Sequence, residues 1–298
     1  MLRNLRIICL LIILISAIAG LLTYKGVLTF KEQTVPVNLP RMPYDGLTLL
    51  AHAGGSLPQG LNSNSKEALD LSASQNIKYI ELDFSTAKNG DLVLIHDWHT
   101  SHYRYFSYIP FLSELYKQEN PKQTKNVSTF KRRWMKFGLT QMSLNDLIIW
   151  MKKNPDVKII TDIKQDNVTN LKVIYDQAGP LARNIIPQIF APEEYESVKA
   201  IGYTDIIYSN YMTKLENQAL VSLMAERDLF ALTVPIKTAT PSLISAANQA
   251  DTPVFVHKLS RSTPITLLNT PEGADTLKAR GISGIYTDTL YPAKTTSP

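Results

Sequence analysis

From residue 45 onward, short apolar runs recur along the chain, most of them ending in polar or ionisable residues and followed by a helix-like segment. The runs that read as strands are LTLLAH over 47–52, YIELDF over 79–84, LVLIHD over 92–97, VKIITDIK over 157–164 and IIPQIF over 185–190. They continue with DIIYSN over 205–210, LFALTV over 229–234, PVFVHK over 253–258 and GIYTD over 284–288. Between them lie segments that read as helices, such as NSKEALDLSASQ over 64–75, SLNDLIIWMKKN over 143–154 and QALVSLMAERD over 218–228. Ser143 followed by Asp146 predicts a capped helix start with an acidic first turn. Strands alternating with helices predict an α/β protein with a parallel sheet, and the length suits a TIM (β/α)8 barrel. Nine candidate strands are one too many for that fold, so one is misassigned or accessory.

Two stretches break the alternation. KNGD at 88–91 is a tight turn that joins YIELDF directly to LVLIHD. Residues 99–142 lack clear periodicity and are rich in Tyr, Phe and Lys. A loop of that length leaving the catalytic face of a barrel would form a lid or a substrate wall.

The N-terminus differs in kind. Arg3 and Arg6 precede an almost uninterrupted apolar stretch from Ile7 to Thr23, the pattern of an export signal or a membrane anchor. Ala17 and Ala19 before Gly20 resemble a cleavage site, whereas Leu21 and Leu22 lengthen the run towards a bilayer span. The expectation is a transmembrane or signal helix over 1–24, a proline-bearing linker over 25–44 and a barrel over 45–298 with an inserted loop region near 99–142. The arginines place the tail in the cytoplasm and the domain outside it, on the periplasmic side of the inner membrane in a Gram-negative cell. The alternative is a domain secreted after cleavage.

Composition narrows the chemistry. A hydrophobic fraction of 44% and a charged fraction of 19% belong to a globular chain. Cys9, the only cysteine, sits in the apolar segment, so the domain has no disulfide, no thiol chemistry and no thiolate zinc cluster. Between Glu114 and Phe137 there are seven Lys or Arg residues, against only Glu114 and Glu119. Such a patch would suit anionic lipid head groups or a phosphate-bearing substrate, or is a solvated face. The expected compartment argues against nucleic acid.

Ionisable residues collect at the strand ends: His52 after LTLLA, Glu81 and Asp83 in IELD, His96 and Asp97 after LVLI, and Asp162 with Lys164 in IITDIK. In a (β/α)8 barrel those ends form one face, where residues distant in sequence converge. The strand period of two sends Glu81 and Asp83 to the same side, and likewise Asp162 and Lys164. Three gathered carboxylates repel one another unless a cation joins them, and all-oxygen ligation favours Mg2+ or Ca2+. Two histidines beside that cluster suit cleavage of a phosphate ester with metal help and acid/base transfer. The glycines after His52 would let the backbone approach a phosphate closely. His257 at the end of PVFVH is either a substrate contact at the same mouth or a core or rim residue, Trp98 a pocket or rim aromatic, and Thr287 and Asp288 ties for the last strand.

The succession AHAGG, NSKEAL, IELDFSTAKNGDLVLIHD, TDIK and GISGIYTD resembles the glycerophosphodiester phosphodiesterase family, in the same order and over nearly all of 47–292. That family shows HRG, ENT, ExD, a short turn with HD, then ExK and a closing TD. The resemblance implies a TIM barrel with a divalent ion, and two histidines, His52 and His96, as general acid and base. It implies metal ligation by Glu81, Asp83 and Asp162 and substrate binding by Lys164 and Asn64. The substrate implied is a glycerophosphodiester or a related lipid or envelope phosphodiester, attacked by an adjacent hydroxyl and then by water. Alternatives are a phospholipase D-like or C-like lyase that stops at the cyclic phosphate, or a non-catalytic barrel that binds phosphorylated ligands. Ala53 stands where the family has arginine, Ser63 where it has the glutamate of ENT, and Asp162 where it has a longer glutamate. Losing the arginine removes a bidentate phosphate clamp, which leaves more of that work to Lys164 or a loop lysine.

Overall fold

The computed structural model describes residue 16 and residues 41–58, 62–106, 124–133, 135–257 and 266–293. Eight parallel strands close into a barrel: β1 (Thr48–Ala51), β2 (Tyr79–Thr86), β3 (Lys158–Ile163), β4 (Ile185–Ile189), β5 (Ile207–Ser209), β6 (Ala231–Pro235), β7 (Val254–His257) and β8 (Gly284–Thr287). Each pairs with its sequence neighbours, and β8 returns to β1 with Ile285 opposite Leu49 and Tyr286 opposite Leu50. The helices are α1 (Lys66–Ser74), α2 (Trp98–Tyr105), α3 (Val127–Arg132), α4 (Leu144–Lys153), α5 (Asn167–Ala178), α6 (Glu194–Ile201), α7 (Asn217–Glu226), α8 (Pro241–Gln249), α9 (Thr266–Asn269) and α10 (Pro271–Ala279).

The two-residue period of the strands decides what lies inside. Leu50, Ile160, Ile186, Ile207, Ala231, Phe255 and Tyr286 meet in the barrel interior as an apolar floor, with Tyr79 against it. Two residues further along the same strands, the inward positions turn polar: His52, Glu81, Asp162, Gln188, Thr233, His257 and Asp288. The outward positions Ile80, Leu82, Ile159, Ile163, Ile189, Leu232 and Val256 pack in the main core cluster with helix residues such as Leu69, Leu147, Leu171 and Leu220. Ile80 and Leu82 are fully buried there; removing a side chain of that size from water contributes about 1.5–3 kcal/mol.

Helix starts follow the sequence signals. Ser143 accepts from the Asp146 amide at 3.4 Å while Asp146 accepts from the Ser143 amide at 2.9 Å, a reciprocal capping box. Ser65 caps α1 by accepting from the Ala68 amide at 3.3 Å.

The accessory ninth run is LVLIHD. Only Leu92–Val93 forms a strand, and it runs antiparallel to Thr86 and Ser85. The reason is edge availability: β2 is paired with β1 near its start and with β3 as far as Phe84, so only its last two residues can take another partner. The KNGD turn forms as expected, with the Ala87 amide donating to Asp91 at 2.7 Å.

In the region 99–142 the described residues are 99–106, 124–133 and 135–142. They contain part of α2 and all of α3, over a second apolar cluster that includes Val93, Ile95, Tyr105, Phe106, Phe130, Met135 and Leu139. The expected N-terminal helix and most of the linker lie outside the described residues, apart from Ser16. No helix among the described residues is long and apolar enough to cross a membrane. The last linker residues belong to the barrel: Met42–Pro43 pairs with Leu290–Tyr291, and the buried Tyr44 donates to Asp275 Oδ1 at 3.0 Å.

Candidate active site

The first strand hands over to a single tight turn, His52–Gly54, in which Ala53 is left-handed (φ 47°). That backbone aims the Ala53 amide at Glu81 Oε2, 2.7 Å away. The space left by the glycines is taken by α1 instead of lying open: a Cβ on Gly55 would sit 2.6 Å from Ser72 Oγ. His52 Nδ1 lies 3.1 Å from Asp288 Oδ1, and the imidazole is 41% exposed. Burial alone would pull His52 down, but the hydrogen bond and charge of Asp288, with Glu81 and Asp83 behind them, leave it pushed up to about 9. Asp288 is therefore more than a tie for the last strand. Its own amide donates to Asn269 Oδ1 at 2.7 Å, which fixes its place.

The expected acid cluster forms. Glu81, Asp83 and Asp162 each turn an oxygen to a common point, with those atoms within 4.8 Å of one another. Asp83 and Asp162 sit opposite each other in the β2–β3 ladder, which explains the approach. Asn64, only 2% exposed, bonds Asp83 with both ends of its amide: Nδ2 donates to Oδ2 at 2.9 Å and Oδ1 accepts from the Asp83 amide at 3.0 Å. This side chain expected to bind substrate is thus committed to holding a carboxylate. Lys164 Nζ spans Asp83 Oδ1 at 3.1 Å and Asp162 Oδ2 at 2.9 Å. Ser63, at the glutamate position of the motif, bonds Ser65 Oγ at 2.9 Å beside the α1 cap.

Burial raises Glu81, and the neighbouring charge of Asp83 raises it further. Burial also raises Asp162, against the pull of Lys164. Asp83 alone is lowered: burial opposes ionisation there, but Lys164, His96 and the Asn64 amide prevail. A cluster with two reluctant carboxylates and one lysine shared between Asp83 and Asp162 fits a hard divalent cation at Glu81, Asp83 and Asp162.

His96 and His52 both line a cavity of about 190 Å³, with Asn62, Asp83, Thr100, Ser101 and Tyr105. His96 Nδ1 meets Asp97 Oδ2 at 2.5 Å, and Asp97 Oδ1 accepts from the Thr100 amide at 2.6 Å. Each histidine is thus backed by an aspartate on Nδ1. His257 ends β7 at the polar level, its ring edge-on to Tyr211 at 5.7 Å and tilted against Tyr286 at 5.6 Å. Trp98 donates to the Thr86 carbonyl at 2.9 Å and packs edge-on against Phe130, so it braces the hairpin.

Tyr211 was not singled out by the sequence, yet its hydroxyl donates to Asp162 Oδ1 at 3.2 Å. Tyr105, Asn62, Thr100 and Ser101 were likewise missed. The cavity-lining pair Thr100 and Ser101 could have been found as polar positions just past the HD motif, at the start of a helix.

No family model and no curated protein matches the sequence. Solved structures do match in fold. A glycerophosphodiester phosphodiesterase from Thermotoga maritima superposes with a TM-score of 0.59 at 18% identity, covering 83% of this chain and 96% of that one. One from Agrobacterium tumefaciens gives 0.58 at 15% identity, covering 83% and 96%. A phosphodiesterase from Oleispira antarctica, solved in complex with the product sn-glycerol-3-phosphate, gives 0.58 at 16% identity, covering 84% and 94%. The eight-stranded barrel is the fold this chain shares with them.

Proposed function

We propose that the chain is a metal-assisted phosphodiester hydrolase that cleaves a glycerophosphodiester or a related lipid- or envelope-derived diester. The observation that carries this reading is the pair of histidines, each oriented by an aspartate, lining one cavity beside a three-carboxylate cluster in which Glu81 and Asp83 are buried. The fold shared with glycerophosphodiester phosphodiesterases supports it, as does the ordered resemblance of the motifs.

The two histidines take different roles. His52, held protonated by Asp288, donates from Nε2 to the departing alcohol oxygen. His96, oriented through Nδ1 by Asp97, accepts at Nε2 the proton of the attacking hydroxyl, whether a substrate hydroxyl or water. Lys164, in reach of Asp83 and Asp162, balances charge in the cluster. Asn64 and Tyr211 hold Asp83 and Asp162 in place. When bound by Glu81, Asp83 and Asp162, a divalent ion, Mg2+ or Ca2+, supplies Lewis-acid polarisation of the phosphoryl group.

The reading includes an N-terminal membrane anchor with the barrel extracytoplasmic, supported by Arg3 and Arg6 ahead of the apolar run. The test is phosphorus NMR of glycerophosphodiesters and lysophospholipids incubated with the protein and Mg2+ or Ca2+. Phosphomonoester formation, abolished by chelation, is expected. A persistent cyclic phosphate would assign the lyase outcome instead, and no product from any diester would refute the proposal.

A further inference from the structure

Phe137 is 58% exposed, the most exposed large hydrophobic among the described residues. Its backbone is left-handed (φ 65°), a conformation that bulky residues rarely adopt. The exposure is not fraying of a loose loop. Met135 and Leu139 on either side are buried in the second apolar cluster, and Gln141 Nε2 donates to the Phe130 and Arg133 carbonyls. The chain is pinned before and after the tip while the ring is held outward.

The segment that carries the ring is basic, although Glu67 of α1 accepts from Thr140 at 2.8 Å and Asp146 of α4 pairs with Lys131. From Asn120 to Asn145 the sequence carries six Lys or Arg residues and no Asp or Glu. Among them, Lys131 is tied to Asp146 at 2.7 Å and Arg133 stacks over the Phe106 ring at 5.4 Å, whereas Arg132 is exposed. A lone outward aromatic on a basic segment is too small an apolar patch for a protein interface. It matches the interface of an anionic bilayer, where a ring enters the headgroup level and Lys or Arg meet lipid phosphates. The other exposed large hydrophobics, Ile149 and Met212, lie on α4 and beyond β5, outside this segment.

We propose that the Lys136–Gly138 turn, with Phe137 at its tip and the basic segment 125–136 leading into it, docks the barrel on an anionic phospholipid surface. Phe130 packs edge-on against Phe106 at 5.7 Å, and the adjacent Tyr105 lines the cavity of the two histidines. The same apolar cluster thus lies under the turn and beside the cavity. Docking through an exposed ring on a basic segment is independent of the reaction proposed above.

The test uses the full chain reconstituted in nanodiscs of phosphatidylcholine, with or without phosphatidylglycerol. Hydrogen exchange over 127–142 is expected to slow several-fold in the anionic discs only, and to recover in high salt. With brominated lipid, Phe137→Trp is expected to show added tryptophan quenching over wild type in anionic discs, and the charge reversals Arg132→Glu and Lys136→Glu to remove it. Exchange that is the same in both disc types, or no added quenching for Phe137→Trp, would overturn the proposal.

Discussion

His52 owes its elevated pKa to a partner 236 positions away in the chain. Replacing Asp288 with Asn keeps the shape but removes the charge, so the imidazole pKa is expected to fall from about 9. The alkaline limb of a pH–rate profile should move down with it, and histidine NMR titration reads the same shift. The sign for stability follows. The pair's stabilisation is fully present below the unfolded imidazole value of 6.5 and is lost as pH rises through about 9. Asn64→Ala should act through Asp83, because two buried hydrogen bonds disappear. It is expected to destabilise the protein by about 1–3 kcal/mol, measured by urea unfolding. Asp288 was legible in the sequence only as the end of a closing strand, since nothing local says that it meets His52. Tyr211 was invisible for the same reason: its bond to Asp162 spans 49 positions and no motif marks it.

At the scale of elements, the barrel strands were readable because their inward positions pass from apolar to polar at a fixed period. LVLIHD misled because its composition is that of a strand, while the edges it needed were already taken by β1 and β3. Its use is to deliver His96 and Asp97 over the rim, which a full strand would not do. The turn after β1 gives a test of close packing. Gly55 has φ 89° and would bring a Cβ within 2.6 Å of Ser72 Oγ, whereas Gly90 has φ 84° with nothing within 4 Å. Gly90→Ala should cost only about 1–2 kcal/mol for the backbone. Gly55→Ala should cost clearly more and move the turn that carries His52, so it should lower both Tm and turnover.

Across the whole molecule, the ordering of motifs along the chain gave the barrel and the convergence of His52, Glu81, Asp83 and Asp162, because a closed parallel barrel brings strand ends together whatever their sequence separation; His96 reaches the same cavity from the accessory hairpin instead. What the pattern did not give were the residues that hold these groups, which depend on side-chain geometry between elements. On the proposed reading, ion binding at the acid cluster is linked to folding. Mg2+ or Ca2+ should raise Tm, with a gain of about 2.7 kcal/mol when the ion is at 100 times its Kd. Asp83→Asn should remove that response. The most direct test of the account is turnover of a glycerophosphodiester with Mg2+ or Ca2+ by the wild type beside His52→Ala and His96→Ala. The account predicts hydrolysis by the wild type and a loss of about 100-fold or more in each variant with the fold intact. Wild-type protein inert towards every diester, or both variants retaining its rate, would contradict it.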